Sequence, residues 1–296
     1  MMGRATLPVF PIKIAISLSL LAVVIGLVSP ADLLEAWGSL DSRYLTAAAI
    51  LMPLGLGLQW WKWRVLLRCV TPEVEEADVA RSLFAGFGLG LLTPGRLGEL
   101  GRGIVLPGLR GAATRLTLLD RLLSALVTLA AGAVSAVVLM PDVGTLGLAV
   151  AGILLATVAW LVRGTGTRQV QGLAAPRVPL RGWLANLAAA TLFNIVFFIQ
   201  MSLLVGAGGE LSTAVLWAVP AVFAIKTLLP ISFLDLGVRE AAAVGVLSLV
   251  GVTPAVALQA SLILFALNVL VPGALGLLVL EREAVTRLAP RLAHVR

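Results

Sequence analysis

The chain has 296 residues, 59% of them hydrophobic and only 12% charged, with a formal net charge of +7. A water-soluble domain carries about a quarter charged residues, so this composition excludes one and points to a multi-pass α-helical membrane protein. Short alternating strands of the outer-membrane barrel kind are absent, and the positive charge gathers at the ends of apolar runs, as in cytoplasmic anchors rather than a nucleic-acid surface.

Six apolar runs read as spanning helices: Pro11–Val28, Tyr44–Leu66, Arg115–Met140, Thr145–Val162, Trp183–Val205 and Pro254–Leu280. The first follows Arg4 and Lys13 and also has the shape of a signal peptide, with Ser29-Pro30-Ala31 as a loose cleavage site. The internal repeat described below favours a retained helix. Ala31–Leu40 reads as a short helix on the outer interface. Two shorter, broken segments remain, Ser82–Leu109 and Leu211–Val250.

Lys13, Lys62, Arg64, Arg68, Arg110 and Arg115, then Arg163, Arg168, Arg177, Arg181, Arg282, Arg287 and Arg291, mark one side. Asp32, Glu35, Asp41, Asp142 and Glu210 mark the other. The positive-inside rule then puts both termini in the cytoplasm of a bacterial-type inner membrane. Trp60, Trp61, Trp63, Trp160 and Trp183 fall near the cytoplasmic ends, where amphipathic rings anchor.

Parity constrains the broken segments. Ser82–Leu109 must enter and leave on the cytoplasmic side, and its first limb, SLFAGFGLGLL, is too short to span. It reads as a re-entrant hairpin. Leu211–Val250 enters and leaves on the outer side, as a hairpin or as two full crossings. The order helix, helix, hairpin, helix occurs twice with opposite orientation, over residues 1–143 and 144–296. The expected fold is all-α and membrane-integral, with about six spanning helices and two broken hairpins in an inverted repeat, a transporter architecture.

The breaks carry the charge. In LLTPGRLGELGRG, Pro94 and Gly95 end the first limb, Thr93 is placed to cap a following helix, and Gly98 loosens it. Arg96 then lies in a first helical turn, unfavourable for a cation unless an anion joins it. Glu99 offers one partner and Arg102 adds a second cation, which leaves a positive surplus for a phosphate. In LLPISFLDLGVRE, Pro230 ends a limb and Asp235 is placed to cap a helix carrying Arg239 and Glu240, with Gly237 between. Asp120 and Arg121 add an adjacent pair. Charges at membrane depth are functional hypotheses by default; pairs that only pin the broken helices are the architectural alternative. Gln59, Asn186, Asn194, Gln200 and Asn268 read as interhelical hydrogen-bond contacts. One cysteine, Cys69, and one histidine, His294 in the polar tail, leave no disulfide, histidine-based metal site or Ser/His triad, and no cofactor is expected.

LTPGRLGELGRG, LLDRLLS and LPISFLDLGVREAA resemble the motifs of the flippase-like family related to the transmembrane region of lysylphosphatidylglycerol synthases. Pro94, Gly95, Arg96, Gly98, Glu99 and Arg102 match the first element, Asp120-Arg121 stands where the family often has Glu-Arg, and Gly237, Arg239 and Glu240 match the third. SFLD replaces a glycine-rich stretch there. The resemblance implies movement or handling of lipids with anionic head groups. The soluble aminoacyl-transferase domain of full synthases is missing, so it does not imply aminoacylation.

The expected function is therefore lipid translocation. Arg96, Arg102 and Arg239 would bind the phosphate, Glu99, Glu240 and Asp235 would orient them or exchange protons, and the two hairpins would open alternately. Expected partners are an anionic phospholipid or polyprenyl-phosphate-like lipid, with a second copy of the chain or a lipid-modifying enzyme also compatible. An integral-membrane enzyme acting on a lipid-linked phosphate or sugar, and a helper subunit of an envelope-lipid pathway, are the rival readings.

Overall fold

In the computed structural model, the described residues are 9–26, 28–140, 178–229 and 236–293, with scattered positions between 142 and 157. All regular structure among them is helical. α1 (Val9–Gly26), α2 (Pro30–Gly38), α3 (Ser42–Arg68) and α4 (Glu76–Leu91) lead into a 3-10 segment, Pro94–Val105, and then α5 (Arg110–Leu139). α6 (Leu180–Ala207), α7 (Thr213–Leu228), α8 (Val238–Ser248) and α9 (Pro254–Phe265) follow. A π-turn, Ala266–Leu270, joins α9 to α10 (Val271–Ala293). The expected span Thr145–Val162 and the break residues Pro230 and Asp235 lie outside the described residues.

Arg110–Leu139, Leu180–Ala207 and Pro254–Ala284 are each long and apolar enough to cross a membrane. α3 is comparably long at 27 residues but carries Arg43, Lys62, Arg64 and Arg68. α2 forms where a short interfacial helix is expected, and the chain bends by 87° between residues 17–26 and 30–38. α4 has 16 residues, α7 16 and α8 11. At about 1.5 Å per residue each falls short of a hydrocarbon core about 30 Å thick. Both segments that interrupt the hydropathy pattern are thus built from short limbs.

Helix pairing exchanges partners between the two parts of the chain. α3 packs along α6; α4 packs on α10, and α5 packs on α7. The first limb of each broken segment therefore lies against the closing helix of the other part. Glycine permits both contacts. A Cβ on Gly88 would stand 2.6 Å from the Gly276 carbonyl carbon, and one on Gly276 would stand 2.1 Å from the Phe84 carbonyl oxygen. In the other contact a Cβ on Gly132 would stand 2.2 Å from that of Ala224. Apolar side chains gain little by leaving lipid, so close approach of backbones through small residues is what holds such helices.

Two apolar cores result. One joins α1, α6, α7, α8 and α9; the other joins α3, α4, α5 and the start of α6 around Trp63, Leu83, Leu116 and Trp183. Trp63 and Trp183 are buried core residues rather than interface anchors, because α4 and α5 cover that end of α3. A small cluster of Phe265 and Val269 links the halves, with Leu91 from the first break and Leu236 from the second packed against it.

Replacement of Gly88 or Gly276 by leucine should force α4 and α10 apart, at a cost of about 1–3 kcal/mol. Gly57, whose Cβ would meet nothing within 4 Å, should accept alanine without loss. Thermal unfolding of the detergent-solubilised chain measures both, and a Gly88→Leu variant as stable as the parent would refute the close-contact account.

Candidate functional site

The first break has a period of three. Gly95-Arg96-Leu97, Gly98-Glu99-Leu100 and Gly101-Arg102-Gly103 repeat a glycine followed by a charge. A 3-10 helix has three residues per turn, so side chains at i and i+3 eclipse. One column then carries Glu99 and Arg102, the column beside it is glycine, and Arg96 reaches Glu99 from the left-handed turn at the start of the segment. A second helical limb was expected, with Arg96, Glu99 and Arg102 on neighbouring faces of one side; the limb is 3-10 rather than α-helical.

The glycine column faces α4. A Cβ on Gly98 would stand 2.1 Å from the Leu89 carbonyl oxygen, and one on Gly101 2.7 Å from a Leu89 methyl. α4 answers with its own glycines, four residues apart on one face. A Cβ on Gly86 would meet Arg102 Cγ at 2.5 Å, and one on Gly90 would meet Glu99 Cγ at 2.8 Å. The turn into this segment is left-handed at Gly95 (φ 59°) and Arg96 (φ 55°). Glycine adopts that region freely, whereas arginine does so at a cost. Thr93 does not cap through a helical N3 amide. Its hydroxyl accepts from the Gly98 N–H at 2.6 Å and donates to the Leu89 carbonyl at 2.9 Å, which closes the turn.

Glu99 sits at the centre, 1% exposed. Its Oε1 lies 2.6 Å from Arg96 Nη2, its Oε2 lies 3.1 Å from Arg102 Nη2, and the same oxygen pairs with Arg121 from α5. Asp120, one residue before Arg121, lies 3.0 Å from Lys62 Nζ on α3 and 3.7 Å from Arg102 Nη1. Four cations therefore meet two carboxylates among the described residues. Lys62 and Arg102 are buried, whereas the Arg121 side chain is 39% exposed and that of Arg96 19%.

Neutral groups hold the charged ones in place. The Arg102 guanidinium lies over Trp63, 5.0 Å from its ring centroid. Trp63 donates to Ser82 at 3.2 Å, and Ser82 donates to the Arg102 carbonyl at 2.8 Å. Lys62 donates to Ser124 at 2.6 Å, and Asn186 of α6 donates to Asp120 Oδ1 at 3.3 Å. Further along the same helices, Thr128 donates to Asn194 and Asn268 in the π-turn donates to Gln200, each at 2.8 Å. Four of the five expected interhelical amides make hydrogen bonds between helices, and among the described residues Gln59 is the exception.

The second break is closed on itself. Gly237, at φ 84°, precedes α8, and a Cβ there would strike Ser17 and Leu20 of α1. Gly237 N–H donates to Glu240 Oε2 at 2.7 Å, so Glu240 reaches back to the helix start. Arg239 pairs with Glu240, donates to Ser261 at 2.9 Å and lies over Phe265 at 4.9 Å. Both charges are buried, and Gly237 holds the cap position expected of Asp235.

Arg96, Glu99, Arg102, Asp120 and Arg121 thus form one cluster, and Arg239 with Glu240 forms a second. Lys62 was read only as a cytoplasmic anchor, one of several basic residues at a helix end. Its burial against Asp120 depends on how α3 and α5 cross, and sequence spacing carries no sign of that. The triplet period of glycine and charge, by contrast, was legible and specifies the aligned column.

Residues 11–276 match the family described as lysylphosphatidylglycerol synthase TM region. The chain belongs to this family, and it is a membrane-embedded protein. No curated protein and no solved structure matched the chain.

Lys62→Met would leave Asp120 with the Asn186 amide and the more distant Arg102, and breaking such a buried pair costs about 3–5 kcal/mol. The double variant Lys62→Met, Asp120→Leu should recover much of that loss. Melting temperatures of the three proteins check the pair, and an unchanged Lys62→Met variant would deny it any contribution.

Proposed function

We propose that this chain moves lipids with an anionic, phosphate-bearing head group between the leaflets of an inner membrane. The observation that carries the reading is the convergence of three arginines, Arg96, Arg102 and Arg121, on one buried carboxylate at a helix break. Charged groups at membrane depth are functional hypotheses by default, and guanidiniums gathered at one place can engage several oxygens of a phosphate. Arginine suits that task, because its planar fork matches phosphate oxygens. Membership of a family named for a phosphatidylglycerol-modifying synthase points to the same ligand chemistry. We read the site as one of binding rather than bond-breaking, since cations hold both of its carboxylates.

The inverted-repeat arrangement, with halves 1–143 and 144–296, is part of the proposal. Its support is the exchange of partners, α4 on α10 and α5 on α7, about the central pair α3 and α6. The approach of Leu91 and Leu236 to one apolar cluster supports a shared midpoint for the two breaks. In this conformation Arg239 is engaged by Glu240 and Ser261. Alternate opening of the hairpins would present the first cluster to one leaflet and the second to the other.

Both termini are assigned to the cytoplasm. Reporter fusions after Arg168 and at the C-terminus should read as cytoplasmic, and those after Asp142 and Gly208 as external. A cytoplasmic signal after Asp142 would break the repeat.

Arg96→Gln or Arg239→Gln should slow movement of labelled phosphatidylglycerol in proteoliposomes by about thirtyfold or more, the equivalent of about 2 kcal/mol. Arg→Lys should also impair it, as an ammonium lacks the fork. Melting temperatures measured alongside separate lost binding from lost folding. Full transport by a stable double Arg→Gln variant would end the phosphate-site reading.

A further inference from the structure

The end of the molecule away from the arginines holds a cavity of about 390 Å³. Ser39, Asp41 and Tyr44 form one wall, and residues 206–209 with Leu211 form the other. The volume falls within the range usual for small-molecule sites, about 300–1,000 Å³. Tyr44 stands about 27 Å along α3 from Lys62, at about 1.5 Å per residue. A hydrocarbon core is about 30 Å thick, so the cavity and the arginine cluster belong to opposite membrane faces.

Local contacts fix both walls. Asp41 N–H donates to the Ala207 carbonyl at 2.9 Å, which ties the start of α3 to the end of α6. Glycine at 206 lets the Tyr44 ring lie against α6, since a Cβ there would stand 3.1 Å from two ring carbons. Gly209 turns the chain after α6 at φ 84°, a region glycine enters freely.

The chemistry of the walls suits hydroxyl groups. Asp41 caps α3, and its carboxylate accepts from the Arg43 N–H at 2.8 Å, so the positive end of that helix answers its charge. Ser39 donates to the Ala36 carbonyl at 3.3 Å, and its oxygen can still accept. The Tyr44 hydroxyl can donate and accept, and its ring offers an apolar face. Among the described residues no lysine or arginine lines the cavity, so a phosphate finds no cation there. A polyol finds acceptors for its O–H groups, a donor for its oxygens and a ring for its C–H groups.

The neighbouring helix sets the cavity at a lipid surface. α2 ends at Gly38, immediately before Ser39, and its Leu34 and Trp37 are 75% and 45% exposed. A short helix with apolar chains facing outward and acidic residues between them lies in the interface. We propose that this cavity receives the hydroxyl-bearing part, a glycerol or a sugar, of a lipid head group. The proposal rests on the reading that the chain handles lipids, and not on the arginines binding their phosphate.

Hydrogen exchange of the full-length chain in detergent tests this. The probes are dihexanoyl-phosphatidylglycerol, dihexanoyl-phosphatidic acid, which has the phosphate without the polyol, dihexanoyl-phosphatidylethanolamine, and glycerol alone. Phosphatidylglycerol should slow exchange of the amides at 39–45 and 206–212 by about tenfold at saturation, and the other two lipids should not. Protection by glycerol as well assigns a site for the polyol itself, and protection by phosphatidylglycerol alone assigns one that also needs the lipid. The double variant Tyr44→Phe, Ser39→Ala should raise the half-saturating phosphatidylglycerol concentration at these amides about tenfold. No protection by phosphatidylglycerol, or equal protection by either of the other lipids, overturns the polyol site, and so does a folded double variant that responds like the parent. The amides of residues 94–105 report separately on the arginines. If no phosphate-bearing probe slows their exchange while the cavity is protected, the phosphate reading fails and the polyol site stands.

Discussion

A carboxylate held away from water must be met by cations, and at Glu99 that requirement organises the surrounding structure. Three arginines have to reach one buried group, so the segment carrying two of them must place them in line with it. An α-helix turns by about 100° per residue and would carry Arg96, Glu99 and Arg102 around its surface. The 3-10 segment stacks Glu99 and Arg102 in a column, and the left-handed turn brings Arg96 to the same carboxylate. The left-handed turn at Gly95 and Arg96, the closure of that turn by Thr93 and the approach of α5 with Arg121 all serve the same convergence.

The column fits only because its neighbour gives way. Gly86 and Gly90 open one face of α4 to Arg102 and Glu99, and Gly88 opens the opposite face to Gly276 of α10. One short helix thus holds the charged segment on one side and a helix of the other half on the other. Irregular backbone at membrane depth is tolerated only where protein or a water-filled cavity surrounds it. Here the surrounding protein is α4, α5 and the Thr93 hydroxyl. In the second break Glu240 reaches back to its own helix start and pairs with Arg239.

The two breaks therefore differ in kind. One gathers four cations about two carboxylates, with partly exposed arginines at its rim, and in the other the buried Arg239 is paired with Glu240. Membership of the lysylphosphatidylglycerol synthase TM region family sets these observations in a lipid membrane.

Composition alone determined the membrane setting, because a chain with 12% charged residues has no polar surface to offer water. Hydropathy located the three helices long and apolar enough to cross a membrane and the short helices of the two interrupted segments. The motifs around Arg96, Asp120 and Arg239 identified the family, and most of the first cluster was named from them. Helix ends were read less well: α5 begins at Arg110 rather than Arg115, and the final helix runs on to Ala293 rather than stopping at Leu280. There, charged residues continue a helix beyond its apolar stretch, and hydropathy cannot see them. Tertiary structure alone decided that Lys62 and Trp63 belong to the site, that Arg121 reaches Glu99, and that Arg239 is already engaged. The physical reason is common to all three. A buried charge takes as partner whichever group the crossing of two helices brings within about 3 Å, and that crossing is set by contacts, such as Gly88 on Gly276, between residues far apart in the chain.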